Sequence, residues 1–455
     1  MNRVAEHETM SAVDTAWLRM DAPTNRMVAN GLMFVGPGLD VERLMLVLDR
    51  RLVPHPRFRQ RVVEPALRVG RPVWESDDTF DIRAHVHHVA LPAPGDEAAL
   101  RDVTSDIIST PIDFSLPPWQ LHVIDGYQGG CVLLSRIHHC VADGIALMGL
   151  MFDLTDETSA GWSDSPVHTA THPDAHWYSG FASVLDGISH PLAAAESAAA
   201  MASTLARLTL MPMDATTSLK GELSSTKRTA WSVPVPLDDV KAAAHRLEAT
   251  VNDVVVAAVA GGLDRYLRAQ GDWTGDDIRA TIPVNLRDGH ESADLGNRFG
   301  LVFLDIPLAA KTPLARLAAI KARMNAIKRS PEAPLSLALL GIIGTLPGSL
   351  QPAAVDFFGS KASLVLSNVP GPRSRRYIAG AEVRHVMFWG PESGHLGLGL
   401  GVLSYGGEVL FGAVSDAGLV PQPELLVAAI SAALSELLKL RPLARRRRTA
   451  GAAAG

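Results

Sequence analysis

Ile137-His138-His139-Cys140-Val141-Ala142-Asp143-Gly144 brings two imidazoles, a carboxylate and a glycine into one short stretch. A neutral histidine, with a reference pKa of about 6.5, accepts a proton at neutral pH, which suits general-base activation of a hydroxyl or an amine. An unperturbed aspartate, with a pKa of about 3.9, is a much weaker base. Asp143 is therefore better suited to fixing the turn, capping a helix or pairing with an arginine. Adjacent side chains of an extended strand point to opposite faces, so His138 and His139 cannot both reach one substrate atom. One acts and the other supports. The spaced pattern His-His-x-x-x-Asp-Gly arises by chance in only roughly a few chains per thousand of this length, and its confirmation lies in structural context. The competing reading is a pair of core histidines beside a helix cap.

Flanking residues supply that context. Cys131-Val132-Leu133-Leu134-Ser135-Arg136-Ile137 is short, mostly apolar and bounded by Gly129-Gly130, which predicts a buried strand ending at the histidines. Asp143-Gly144 opens the apolar run 145–152, which predicts a buried helix with Asp143 at its N-cap. Strand, turn and helix together would hold the imidazole rigidly.

The wider chain reads as mixed α/β in two halves. In the first, 31–35 reads as a strand, 41–53 as a helix and 80–89 as an alternating strand. That last segment carries His85, His87 and His88, but no acid or thiol stands at a standard ligand spacing, so no metal site is expected. A polar breaker at 155–161 opens a linker that runs to about 228 and contains an alanine-rich helix over 192–210. Glu196 and Arg207 interrupt that helix, so it packs or lies flat on a surface and does not cross a bilayer. In the second half, 240–247 reads as a helix, and Thr250 with Asp253 resembles a capping box ahead of another over 254–267. The apolar patch 335–346 is either a core helix or the wall of a tunnel. Segments 397–403 and 408–414 read as strands joined at Tyr405-Gly406-Gly407. The chain closes on Arg445-Arg446-Arg447-Arg448 and a small-residue tail expected to be disordered.

Composition narrows the function classes. A chain of 455 residues, 47% of them hydrophobic, exceeds one ordinary core and can build two. A net charge of -6 offers no basic field for a nucleic acid. The only cysteines, Cys131 and Cys140, make no metal-spaced pair and no disulfide framework, which favours the reducing cytoplasm. Residues 1–8 contain acids and no apolar core, so no signal peptide is expected.

With these motifs in hand, the chain resembles the bacterial wax ester synthase/diacylglycerol acyltransferase family, within the broader group of acyltransferases and condensation domains sharing His-His-x-x-x-Asp-Gly. The resemblance covers most of the chain. It rests on Met10-Ser11-Ala12-Val13-Asp14, Asp21-Ala22-Pro23-Thr24, Thr250-Val251-Asn252-Asp253, Pro283-Val284-Asn285-Leu286-Arg287, Leu295-Gly296-Asn297-Arg298-Phe299 and Ser367-Asn368-Val369-Pro370-Gly371-Pro372, in the family's order. One departure stands out: the family's Pro-Leu-Trp is Pro117-Pro118-Trp119 here, and the second proline removes a backbone donor.

The resemblance implies two chloramphenicol-acetyltransferase-like domains, 1–155 and 229–444, joined by the linker 156–228 and followed by the tail 445–455. The active site would lie in a channel at their interface. It implies His139 as general base, His138 in support, and Asp143 with Gly144 as the architecture of the turn. Trp119, Asn252, Asp253, Asn285, Arg287 and Ser367 are candidate substrate contacts, with core packing the competing role for Trp119 and helix capping for Asn252 and Asp253. The expected reaction moves a long-chain acyl group from acyl-CoA, a co-substrate, to the hydroxyl of diacylglycerol or a long-chain alcohol, with no cofactor. Condensation onto a polyketide or carrier-bound acceptor, or lipid binding without turnover, are the alternatives. Peripheral contact with the inner membrane face or with lipid droplets stays open.

Overall fold

The computed structural model describes residues 7–65, 70–160, 203, 206–287, 295–392 and 394–441. In chain order the strands of the first half are β1 Glu8–Thr9, β2 Val28–Val35, β3 Gln60–Val63, β4 Val73–Ser76, β5 Val86–Ala90, β6 Trp119–Tyr127 and β7 Gly130–His138. Those of the second are β8 Lys227–Trp231, β9 Val235–Pro236, β10 Ile278–Asn285, β11 Phe299–Ile306, β12 Leu364–Pro370, β13 Arg376–Ile378, β14 Ala381–Trp389, β15 Leu398–Tyr405 and β16 Glu408–Asp416. The longer helices are α1 Ala12–Met20, α2 Val41–Val47, α3 Glu97–Ser109, α4 Gly144–Asp153, α5 Leu237–Arg246, α6 Val251–Ala269, α7 Pro313–Ile327, α8 Glu332–Thr345, α9 Gln351–Gly359 and α10 Pro423–Lys439.

Two sheets organise the molecule. One runs β13-β14-β2-β7-β6-β5, antiparallel except for the parallel pair β5 and β6. The other runs β11-β10-β12-β15-β16-β8, with β9 beside β16 and parallel pairing on both sides of β12. Near-continuous apolar runs in β7, β15 and β16 match their burial on both faces.

The first sheet draws strands from both of the segments 1–155 and 229–444. Strands β13 and β14 leave the second half and pair with β2, matching Trp389 with Asn30 and Phe388 with Gly31. The crossover carries Met387 and Trp389 into a core shared by Leu32, Phe34 and Leu134 of one sheet and Trp231, Leu410 and Val414 of the other. Period-two alternation marks 381–389 as a strand, but it does not say which sheet will accept it.

Most local expectations find their elements. The helix read over 41–53 changes character midway: α2 ends at Val47 and a π-helical turn, Leu48–Leu52, follows. That register lets the buried Arg51 reach Asp156 at 2.8 Å. The strand read over 80–89 begins late. Asp81 accepts the Arg83 N–H at 2.9 Å and holds Ile82–Ala84 in a 3-10 turn, so pairing starts only at Val86. Within the linker, residues 206–210 are helical. The rest of the alanine-rich helix, apart from residue 203, and the basic tail lie outside the described residues.

Candidate active site

Strand β7 delivers the histidines and α4 receives them. Asp143 caps α4, its Oδ1 accepting from Ile145 N–H at 3.1 Å and Ala146 N–H at 3.0 Å. Its Oδ2 faces the second half of the chain, where it accepts from the Arg287 guanidinium at 2.7 Å and the Arg298 N–H at 3.0 Å. Arg287 also donates to the Gly296 carbonyl. A short parallel bridge pairs Ala142 with Gly296 beside these bonds. One buried carboxylate thus ends a helix and latches the motif turn to segment 295–298. Gly144 fits because a side chain there would start 3.0 Å from the Phe388 ring.

His138 and His139 diverge as adjacent strand-end residues should. His138 is fully buried; its Nδ1 accepts the Cys140 N–H at 3.2 Å, its Nε2 lies 3.7 Å from Asp21 Oδ1, and its ring meets Phe114 edge-on. His139 faces a cavity lined by residues of both halves, among them Trp17, Asp143, Asn285, Phe299, Ser367 and Phe388. Its imidazole stacks on the Trp17 indole at 4.3 Å, with Phe299 at 5.5 Å on the tilt. Its Nδ1 is buried without a hydrogen-bond partner among the described residues. Burial drives the His139 pKa down to about 4, against the upward pull of the Asp143 carboxylate and the Asn297 amide and with His138 pushing further down. The ring is therefore neutral at pH 7.

Asn297 fixes the turn from the other side. Its Nδ2 donates to the His139 carbonyl at 2.7 Å and to Asp14 Oδ1 at 2.7 Å, and all three residues are buried. Asp14 and Trp17 share one face of α1, three residues apart, with Ser11 capping the helix through the Asp14 N–H. Burial raises the Asp14 pKa, partly offset by the Asn297 and Ser11 bonds. Neither Trp17 nor Asn297 was predicted as a site residue. The i, i+3 spacing of Asp14 and Trp17 on an N-capped helix is the one local signal that could have linked them.

The candidate substrate contacts separate into groups. Asn285 and Ser367 line the cavity. Arg287 reaches the site through Asp143, and Asn252 accepts from the cavity-lining Asn368 at 2.7 Å. Asp253 belongs to helix capping: its carboxylate accepts the Thr250 N–H at 2.9 Å, and the Thr250 hydroxyl accepts the Asp253 N–H at 3.1 Å. Trp119 is corrected from substrate contact to core residue. It is buried, donates from its indole to the Phe58 carbonyl at 3.0 Å and stacks on His85 at 4.4 Å, outside the cavity lining. The unusual Pro118 before it accepts the His138 N–H at 3.0 Å, so that loop still braces the motif.

A second cavity adjoins the first and shares Trp17, Thr281 and Leu301 with it. Its remaining lining is almost entirely apolar and comes largely from α8 and α9, including Leu339, Leu340, Ile343 and Phe358. The patch expected to be either a core helix or the wall of a tunnel packs and also lines a cavity: Leu340 packs on Trp17 and Phe299 while facing this space.

Known proteins agree with this architecture. The profile of the wax ester synthase/diacylglycerol acyltransferase catalytic domain matches residues 10–255, and that of the family's C-terminal domain matches 295–438. The probable diacylglycerol O-acyltransferase tgs1 of Mycobacterium tuberculosis H37Rv is 30% identical over 456 aligned residues, covering 96% of this chain and 98% of that protein. The wax ester synthase/diacylglycerol acyltransferase of Marinobacter aquaeolei VT8 superposes with a TM-score of 0.69 at 21% identity, covering 94% of this chain and 98% of that one. The first condensation domain of the calcium-dependent antibiotic synthetase shares the fold with a TM-score of 0.62 at 14% identity, covering 96% and 97%. The chain belongs to the wax ester synthase/diacylglycerol acyltransferase family and is an acyltransferase.

Proposed function

We propose that this acyltransferase moves a long-chain acyl group from acyl-CoA to the hydroxyl of diacylglycerol or of a long-chain alcohol, with His139 as the general base. The observation that carries this reading is a neutral imidazole in one largely apolar cavity, stacked on Trp17, a residue that also lines the adjoining apolar cavity. An acyl chain and an aliphatic acceptor both need apolar walls, and a shared junction turns their encounter into a positioned reaction.

In the proposed reaction His139 removes the acceptor's hydroxyl proton as the oxygen attacks the thioester carbonyl. The tetrahedral intermediate then collapses, the carbon–sulfur bond breaks, and the imidazolium returns the proton to the departing CoA sulfur. No acyl-enzyme is required. The transient imidazolium is supported by the Asp143 carboxylate and by the Trp17 face stacked on it. Asn285 is a candidate donor to the oxyanion: its Oδ1 is taken by the Arg287 N–H at 3.0 Å, which leaves Nδ2 to donate. Access to lipid is peripheral in this reading, and no helix among the described residues is long and apolar enough to cross a membrane.

The test incubates purified protein with labelled palmitoyl-CoA and diacylglycerol, hexadecanol or a carrier-bound acceptor, then resolves the products. Triacylglycerol or wax ester that disappears in His139→Ala is the expected outcome. Product formed only on the carrier-bound acceptor, or ester formation undiminished in the variant, contradicts the proposal.

A further inference from the structure

Residues 333–355 contain no charged side chain, an uninterrupted stretch of 23 positions that includes most of α8, the connecting turn and the start of α9. Such a stretch belongs in a core, yet one face of it is open to solvent. Ala338, Ile342 and Thr345 form an exposed i, i+4, i+7 stripe on α8, continued by Leu350 and by Phe357 on α9. Ile342 is 58% exposed, Leu350 54% and Phe357 43%. Beside them runs the segment after residue 206, with Leu210 81% and Met213 74% exposed, tied to the end of α9 by Lys361 donating to the Thr209 and Met211 carbonyls. Five of the eight large apolar side chains exposed among the described residues fall on these adjoining segments, so the patch is not the usual scatter of single surface apolar residues.

The same segments line the second cavity. Leu208, Leu340, Ile343 and Phe358 face it, each a near neighbour in sequence of one of the exposed residues. That cavity shares Trp17 with the chamber holding His139, and α8 carries α1 on its back, with Leu340 against Trp17.

We propose that this α8–α9 surface docks on a phospholipid bilayer and takes lipid substrate from it into the second cavity. The inference rests on the proposed lipid acceptor and names the surface that supplies it. A second copy of the chain seated here would cover the segments that wall the cavity, whereas a bilayer brings the water-insoluble substrate to them. The exposed face of the patch carries only Asp356 and Arg207, of opposite sign and the latter paired with Glu332, so attachment works by burying apolar side chains in the acyl boundary and needs no anionic lipid.

Flotation of the full-length protein with phosphatidylcholine vesicles tests this without turnover. Wild type is expected to float with the vesicles in low salt and equally at about 0.5 M NaCl, where surface charge attraction is screened. The triple variant Ile342→Ser/Leu350→Ser/Phe357→Ser should partition roughly a hundredfold less, having lost three large apolar anchors. Val233→Ser/Leu425→Ser, which removes exposed apolar residues elsewhere, should float like wild type. His139→Ala should float while losing ester formation, which separates failure of docking from failure of the chemistry. Wild type that does not float, a triple variant that floats unchanged, or equal losses from the distant pair would overturn the proposal. So would a mass that halves in the triple variant in solution, which would make the patch a dimer interface.

Discussion

At the residue scale, the chemistry reduces to one imidazole held by groups far apart in sequence. Asn297 joins the His139 carbonyl to Asp14 with two bonds of 2.7 Å, and all three residues are buried. Asn297→Ala leaves the buried His139 carbonyl without its partner, at a cost of about 1–3 kcal/mol, and takes one of several bonds from the Asp14 carboxylate. The expected result is a lower urea midpoint together with a fall in kcat larger than any rise in KM, because the substrate still enters but the base is no longer aimed. A variant with lowered stability and unchanged kcat would make Asn297 structural only. The pair His138 and His139 was legible in the sequence because strand geometry alone forces them apart. Asn297 as a partner was not, and Arg287 was named only as a candidate substrate contact, not as the partner of Asp143, since bonds spanning 158 and 144 residues leave no local trace.

At the element scale, α1 positions Trp17 only because α8 lets it approach. Gly344 is the point of closest contact: a Cβ there would lie 1.6 Å from the Ala12 carbonyl oxygen, while one at Gly341 meets nothing nearer than the Val13 methyl at 3.9 Å. Gly344→Ala is therefore expected to destabilise by about 1–3 kcal/mol and to lower kcat by shifting the stacked indole. Gly341→Ala, in the same helix, should be neutral or stabilising by up to about 1 kcal/mol. Denaturation curves and kcat for the two variants check this; equal effects would mean the crossing does not depend on Gly344. The element types around the motif were legible because Asp143 and the apolar run after it form a purely local N-cap. Trp119 misled because a tryptophan beside a motif carries no sign of the direction its ring takes. Here the indole pairs with Phe58, 61 residues away.

At the scale of the whole molecule, two α/β halves are visible in composition and pattern, but their interlocking through β13 and β14 is not. Strand periodicity is a property of a segment, whereas sheet membership depends on which edge is left unpaired after the rest has folded. Buried histidines give the whole fold a pH signature. Burial, then the nearby His87 and Arg136, hold the His122 pKa down at about 3, far below the value near 6.5 expected when unfolded. The unfolded chain therefore binds this proton first. Stability contributed by neutral His122 is complete above about pH 6.5 and falls, by up to about 1.4 kcal/mol per pH unit, as pH drops toward the folded-state value. His122→Gln should flatten the dependence of unfolding free energy between about pH 6 and 4 by that amount, and parallel slopes would contradict it.

The same reasoning applied to His139 reaches the reaction itself. We expect kcat/KM for ester formation, measured across pH in wild type beside His139→Gln, to stay level in wild type well below pH 6.5 and to fall only as the imidazole protonates near its depressed value of about 4. The variant should be slower by roughly a hundredfold or more and lack that acid limb. A wild-type limb centred near 6.5, or a variant that matches wild type in rate and profile, would contradict a buried neutral His139 acting as the base.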